Sequence, residues 1–151
     1  MKHVYLTIAT FFYTGYFPKG SGTFATACFL PFYYFLFRDM PPLLYAGITI
    51  ALYFVGVWAS NYVEAILKKT DPSEVVIDEV VGFLITMFLI PYSFKRMMIG
   101  FVVARVLDII KPFPAYQSQV LRGGNGIMID DAISGVYGWI LMIVLVHFKM
   151  L

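Results

Sequence analysis

The chain has 151 residues, of which 60% are hydrophobic and 13% are charged, and its mean hydropathy is +0.80. Such a composition lies outside the range of soluble domains and predicts a single all-α domain, a polytopic membrane helix bundle, over residues 1–151. The net charge of +2 is too small to indicate nucleic-acid binding, and the single cysteine, Cys28, excludes an intramolecular disulfide and a thiol-rich metal site.

An aromatic stretch and five apolar segments follow in chain order. Residues 4–17 contain six tyrosines and phenylalanines and predict an interfacial helix that lies along the headgroups. The apolar segments are 24–37, 43–60, 75–91, 97–110 and 132–148, and they predict about four to five membrane segments. The third has 17 residues, or about 26 Å of helix, only if Asp78 and Glu79 occupy its first turns. Helix length therefore draws these two carboxylates towards the membrane interface.

The connections between the segments predict where the unusual motifs lie. Residues 38–42 and 91–96 predict tight hairpins, whereas the connections 61–74 and 111–126 are longer. With five spans, the N-terminus and the two long connections share one side, which has six lysines and arginines against four on the other. This bias places the N-terminus in the cytoplasm. The same side receives the Gly20–Thr23 loop, the Asp78-Glu79 pair, the 105–111 end of the fourth segment and the 122–131 motif.

Five of the nine carboxylates lie inside or against apolar segments, where charge is costly and marks a functional site or a neutralised packing pair. They are Asp78, Glu79, Asp108, Asp130 and Asp131. Mg²⁺ prefers carboxylate oxygens, and arginine and lysine suit a phosphate group. The acidic cluster, with Arg105 and Lys111 beside Asp108, therefore predicts a metal and a phosphate.

The spacing of Arg105, Asp108 and Lys111 also fits a simpler interpretation. Residues three apart share one side of a helix, so Arg105 and Asp108 could neutralise each other beside a snorkelling lysine. Lys111 precedes Pro112, and a lysine at such a boundary also caps the negative end of a helix. Both interpretations remain open for Lys111.

Two glycine-containing stretches are candidates for ligand contact. Residues Arg122–Asp131 hold three glycines in four positions, which predicts a loop whose backbone approaches a ligand, and the paired aspartates are predicted to open the last helix. One aspartate would satisfy the helix dipole, whereas two adjacent ones indicate a bound cation. Gly20–Thr23 precedes the first apolar segment and is either an anion cradle or an ordinary capped turn. Gly82, one turn after Asp78, predicts close helix packing.

Several chemistries do not fit the sequence. No arginine occurs in the six residues after Cys28, and His3 and His147 lie away from the motifs, which argues against cysteine-dependent and phosphohistidine phosphatases. A CDP-alcohol phosphotransferase would need Asp-Gly near Ala104, and it is absent. A non-enzymatic cation transporter or membrane scaffold is the other alternative, but a transporter would place its charges near the bilayer midplane.

Three motifs resemble those of the bacterial phosphatidylglycerophosphatase A family. They are Asp71-Pro72-Ser73 with Val76–Gly82, Arg105-x-x-Asp108-x-x-Lys111-Pro112-x-Pro114, and Gly123-Gly124-x-Gly126-Ile127-Met128-x-Asp130-Asp131-x-x-x-Gly135. They occur in the family's order over about residues 20–147, and Ser21 departs from the proline that the family usually has.

The resemblance implies a Mg²⁺-dependent phosphatase of the bacterial inner membrane, with its site near the cytoplasmic face. Its substrate would be an anionic phospholipid, phosphatidylglycerophosphate, which it would convert to phosphatidylglycerol and phosphate. Metal binding and base catalysis would be divided among Asp78, Glu79, Asp108, Asp130 and Asp131. The substrate phosphate would be bound by Arg105, Lys111 and Thr23.

Overall fold

The computed structural model describes residues 2–118, 120–121 and 123–151, and within these ranges all regular structure is helical, as predicted. Arg122, which belongs to the glycine motif and to the cation count, lies outside the described residues. The helices are α1 (Lys2–Ala9), α2 (Ser21–Phe32), α3 (Pro42–Leu67), α4 (Ile77–Thr86), α5 (Phe94–Ile110), α6 (Ala115–Ser118) and α7 (Gly124–His147). A short 3₁₀ turn occupies Thr14–Tyr16, and α2 continues as a π-helical turn over Tyr33–Phe37.

Two helices of the described chain, α3 and α7, are long and apolar enough to cross a membrane by length and composition. α3 has 26 residues and extends seven residues beyond the predicted segment 43–60, ending where Lys68 adopts a left-handed conformation with φ 53°. The predicted connection 61–74 was therefore too long at its start. The number of membrane segments, four to five, stays a prediction.

α7 begins earlier than predicted. It has 24 residues and starts at Gly124 rather than at residue 132, so Asp130 and Asp131 lie about two turns inside it. The prediction that the aspartates open this helix is wrong. The reason is that the glycines form the first turn of a helix packed on α3, where a Cβ on Gly124 would overlap the carbonyl oxygen of Val57.

α4 is the enclosed centre of the bundle. Seven of its ten residues are buried, and it packs against α2, α3, α5 and α7. At about 15 Å it is shorter than the 17-residue helix predicted for segment 75–91, so that prediction is wrong. The chain leaves the helix after Thr86 because Leu89 takes a left-handed conformation (φ 59°) and the Phe88 carbonyl accepts a bond from the Trp139 indole at 2.8 Å instead. Asp78 and Glu79 do lie in the first turn, as predicted.

The N-terminal stretch is α-helical for less than half of the predicted range 4–17. α1 ends at Ala9 because Phe11, Phe12 and Tyr13 all have positive φ values, between 41° and 66°. Its Tyr5 ring stacks on Tyr62 of α3 with the ring centroids 3.8 Å apart. α1 therefore lies along the second half of α3, and its position at a membrane interface stays a prediction.

Gly82 and Gly135 bring α4 and α7 into backbone contact. A Cβ on Gly135 would lie 2.7 Å from the carbonyl oxygen of Gly82, and one on Gly82 would lie 3.1 Å from the carbonyl oxygen of Asp131. The close packing predicted at Gly82 is confirmed. Because Asp78 lies one turn before Gly82, this crossing sets Asp78 beside the aspartates of α7.

Gly135→Ala is expected to destabilise the fold by about 1–3 kcal/mol, since the added methyl group would press on the Gly82 backbone and on Ile85 Cβ, neither of which is the free end of a flexible side chain. Gly47→Ala in α3 is the matched control, because a Cβ there meets nothing within 4 Å and alanine favours a helix over glycine by up to about 1 kcal/mol. Thermal unfolding in detergent should give a Tm below that of the parent for Gly135→Ala and a Tm equal to or above it for Gly47→Ala. Equal Tm values would contradict the close contact.

Candidate active site

The structure brings together all eight residues that the sequence singles out. They come from the start of α2 (Thr23), the first turn of α4 (Asp78 and Glu79), the last turns of α5 with the residue that follows it (Arg105, Asp108 and Lys111), and the second turn of α7 (Asp130 and Asp131). The four separate stretches thus meet in space, while their placement on one side of a membrane stays a prediction. The roles of the residues stay predictions.

Arg105 links three of these stretches through its guanidinium group. It forms an ion pair with Glu79 of α4 and a second one with Asp108 of its own helix, at 3.0 Å between Nη2 and Oδ2. Its Nε donates a hydrogen bond to Thr23 Oγ1 at 3.2 Å. The pair with Asp108 satisfies the simpler intrahelical interpretation, but the contacts with α2 and α4 go beyond it. A planar group with several donors in a fixed fork is well suited to hold such an arrangement.

Lys111 links α5 to α7. Its ammonium group forms an ion pair with Asp130 and lies 3.8 Å from Asp108 Oδ1. The lysine has a left-handed backbone, with φ 46°, and its own N–H donates to the carbonyl of Leu107, which closes the helix. The backbone bond of Lys111 thus ends α5, while its side chain contacts the acidic cluster. The helix-capping interpretation of the lysine side chain is therefore not needed.

The start of α2 approaches Glu79 very closely. Gly22 is buried, and a Cβ at this position would overlap the Glu79 carboxylate. Ser21 Oγ, one residue earlier, donates to the carbonyl of Ser73 at 2.9 Å and so ties α2 to the segment that leads into α4. Gly22 is therefore needed to make room for the Glu79 side chain. Thr23 is the residue of this loop that contacts a cation of the cluster, Arg105.

Asp78, Asp108 and Asp131 form the acidic interior of the site. Asp131 is 3% exposed, lines a small pocket with Asp108, and lies within electrostatic range of Asp78. One oxygen of Asp78, Oδ1, is buried and has no hydrogen-bond partner.

Negative charge exceeds positive charge in this cluster. Five carboxylates face two cations, so the cluster carries −3 when every group is ionised (2 − 5 = −3). Burying unpaired carboxylates costs several kcal/mol each. The cluster is therefore stabilised by protons or by further positive charge.

Comparison with known proteins identifies the family. The family model described as phosphatidylglycerophosphatase A matches residues 7–146. A protein of Bacteroides thetaiotaomicron named "Putative phosphatidylinositol-3-phosphatase" is 33% identical over 146 residues, which cover 91% of this chain and 90% of that protein. Phosphatidylglycerophosphatase A of Escherichia coli K12 is 31% identical over 138 residues, covering 90% of this chain and 80% of its own length. The chain belongs to the phosphatidylglycerophosphatase A family.

One further relative agrees with this assignment. Phosphatidylglycerophosphatase A of Haemophilus influenzae is 33% identical over 96 residues, covering 62% of this chain and 59% of its own length. No solved structure matches the chain. Membership in the phosphatidylglycerophosphatase A family makes this protein a phosphatase, which disfavours the phosphotransferase and transporter alternatives.

Sequence reasoning missed three polar residues near this phosphatase site. Ser134, one turn after Asp131, is buried, lines a small pocket with Asp108 and Asp131, and has no partner for its Oγ. Because residues three apart share one side of a helix, its spacing from Asp131 could have indicated from the sequence that it belongs to the site. Asn61 and Glu64 contact the segments on either side of the site, but they follow the apolar part of α3 and looked like loop residues.

Proposed function

We propose that this protein removes the terminal phosphate of phosphatidylglycerophosphate in a Mg²⁺-dependent reaction, at the cytoplasmic face of a bacterial inner membrane. The proposal rests on the cluster in which two cations and the Thr23 hydroxyl meet five carboxylates. A phosphomonoester needs donors for its oxygens, and acidic groups are needed for metal binding and proton transfer. Two curated relatives carry the corresponding name.

The carboxylates fit Mg²⁺ by their chemistry. All five offer hard oxygen donors, and the buried, unpartnered Oδ1 of Asp78 is the kind of atom that a cation would satisfy. Among the described residues, no three acidic, histidine or cysteine side chains are arranged as a ready-made metal site. Glu79, Asp108 and Asp130 instead face Arg105 and Lys111, as the ion pairs above show. We assign Asp78 and Asp131, with a neighbouring carboxylate, as the residues that would hold the ion.

Arg105 and Lys111 would bind the phosphate by exchanging partners. Each now pairs with carboxylates, and an incoming phosphate competes for the same N–H donors. Thr23, which already accepts a hydrogen bond from Arg105, would donate one from its hydroxyl group to a phosphate oxygen. When bound, Mg²⁺ would polarise the phosphoryl group as a Lewis acid.

Proton transfer would involve Asp108. Hydrolysis joins the oxygen of water to phosphorus, breaks the bond from phosphorus to the lipid oxygen, and delivers a proton to that oxygen. With Asp131 assigned to the ion, Asp108, which lines the same small pocket, is placed to pass this proton. This holds whether water attacks the lipid phosphate directly or an aspartyl-phosphate forms first.

The apolar surface supports placement in a membrane. α3 and α7 have the length and apolar composition of spans, and large apolar side chains such as Leu43, Phe54 and Val136 are exposed along them. A lipid phosphate lies at the interface, where charged groups at helix ends are less costly than at the bilayer centre. The multi-pass topology in the bacterial inner membrane is part of this proposal.

Phosphatidylinositol 3-phosphate is a second candidate substrate. The Bacteroides relative carries that activity in its name and covers 91% of this chain. Both lipids are phosphomonoesters of a polyol headgroup, so the same cations and carboxylates would serve either one. Distinguishing the two candidates therefore requires measuring the hydrolysis of both lipids.

Phosphate release by the detergent-purified protein should occur with phosphatidylglycerophosphate and Mg²⁺, and should fall at least about a hundredfold with EDTA. Phosphatidylinositol 3-phosphate and soluble glycerol 3-phosphate, at equal concentrations, are the comparison substrates. Preferred hydrolysis of the inositol lipid would favour the second candidate. Undiminished release in EDTA would remove the metal from the proposal.

A further inference from the structure

The end of α3 holds two other parts of the chain by their backbones. Asn61 and Glu64 are three residues apart and so lie on one side of the helix. Asn61 Oδ1 accepts a hydrogen bond from the N–H of Gly124 at 2.8 Å. Glu64 Oε1 accepts one from the N–H of Asp71 at 2.9 Å. Asn61 therefore reaches a distant helix, whereas Glu64 reaches the segment that follows α3, seven residues along the chain.

The bond from Gly124 replaces a missing helix cap. α7 begins after Gly123, which has no side chain and a φ of 74°, so the helix lacks a cap residue of its own. The first N–H groups of a helix need acceptors from outside it, and Asn61 supplies one from a neighbouring helix. Because α7 is continuous from Gly124 to the aspartates, fixing its first turn fixes the position of Asp130 and Asp131.

The bond from Asp71 holds the segment that leads into α4. Asp71 has a left-handed backbone, with φ 49°, which is uncommon for a residue other than glycine and persists only where surrounding contacts hold it. Its carboxyl group lies within electrostatic range of Lys111, Asp130, Glu64 and Asp108. Six residues later α4 begins, with Asp78 and Glu79 in its first turn.

We propose that Asn61 and Glu64 are positioning residues, which clamp the start of α7 and the segment before α4 to one helix end and so set the distance between the carboxylates of the two elements. The inference rests on the proposed function. It assigns neither residue a contact with substrate or metal, because each acts through a backbone N–H group of another segment.

The test at Glu64 compares Glu64→Ala with Glu64→Gln. Alanine removes the acceptor, whereas glutamine keeps an oxygen for the Asp71 N–H and loses only the charge. We expect Glu64→Ala to lower kcat at least about tenfold with KM within about threefold, because small misplacements of reacting groups are costly, and Glu64→Gln to recover most of the loss. Lys69→Ala, which breaks the exposed 3.0 Å ion pair with Glu74 in the same segment, is the matched control and should match the parent.

Two results would overturn the assignment at Glu64. If Glu64→Gln were as impaired as Glu64→Ala, the charge and not the acceptor would matter, which indicates a ligand or a base. If Glu64→Ala matched Lys69→Ala in kcat, no positioning role would remain.

The parallel pair at Asn61 is Asn61→Ala and Asn61→Asp, where aspartate keeps the acceptor for Gly124. Amide hydrogen exchange, which needs no activity, should show faster exchange around Gly124 only in Asn61→Ala and around Asp71 only in Glu64→Ala. Unchanged exchange in both alanine variants would refute the clamp even if either variant proved unstable. An inactive parent protein would count against the proposed function alone, and the exchange rates would still decide whether the clamp exists.

Discussion

Asp131→Asn is expected to lower kcat for phosphate release by at least about a hundredfold while leaving the protein at least as stable as the parent. Asp131 is 3% exposed and lies beside Asp78, Asp108 and Asp130, and within the described residues no lysine or arginine forms an ion pair with its carboxyl group. Asparagine has nearly the same shape but no charge, so it relieves repulsion among buried carboxylates. Loss of activity with retained stability separates a functional charge from a packing residue.

Phosphate release and thermal unfolding, measured on the same detergent preparation, check this expectation. Asp39→Asn is the matched control, because Asp39 is exposed and pairs with Arg38 in the connection between α2 and α3. The control should keep parental activity and Tm. Parental activity in Asp131→Asn would remove this aspartate from the catalytic group, and a large fall in its Tm would show that its charge stabilises the fold.

Arg105→Lys is expected to lower kcat/KM at least about a hundredfold even though the positive charge is kept. The guanidinium group contacts Thr23, Glu79 and Asp108 together, and the single ammonium group of a lysine, on a flexible stem, cannot reproduce that planar arrangement. Substrate phosphate, which would bind the same donors, loses its two-pronged contact. Activity measured over a range of substrate concentrations tests the expectation, and a change within about threefold would contradict it.

Stability variants at the same position separate binding from folding. Arg105→Met leaves Glu79 and Asp108 without their shared cation and should cost about 3–5 kcal/mol, as for other buried ion pairs that lose one partner. Adding Glu79→Gln to Arg105→Met removes one of the stranded charges and should recover part of the stability with no recovery of activity. Chemical denaturation of the single and double variants gives the coupling between the two side chains.

The convergence of the site was predictable from the sequence because charge inside apolar segments has few explanations. Asp78, Asp108 and Asp130 each interrupt an apolar run, and counting the connections placed them on one side without any knowledge of packing. The pairing of particular groups was not predictable. Whether Arg105 meets Asp108 in its own helix or Glu79 across the bundle depends on how α4 and α5 pack, and the structure shows that it meets both.

Helix ends were the weakest part of the sequence prediction, for a physical reason. Glycine serves both flexible loops and close helix contacts, so the run at residues 123–126 was interpreted as a ligand loop when it forms the first turn of α7 against α3. α4 was predicted too long because apolar residues continue after Thr86, while Leu89 and the bond from Trp139 to Phe88 turn the backbone away. Such tertiary contacts have no local sequence signal.

Direct cation binding tests the central claim, which is that the buried carboxylates hold a divalent metal beside the lipid phosphate. Mn²⁺ can stand in for Mg²⁺ at oxygen-rich sites and reports its bound state by electron paramagnetic resonance. Titration of the detergent-purified protein should show saturable Mn²⁺ binding that Mg²⁺ displaces and that Asp78→Asn and Asp131→Asn each abolish, while Asp39→Asn leaves it unchanged. Mn²⁺ binding that persists in both site variants, or phosphatase activity with no bound cation, would contradict the account.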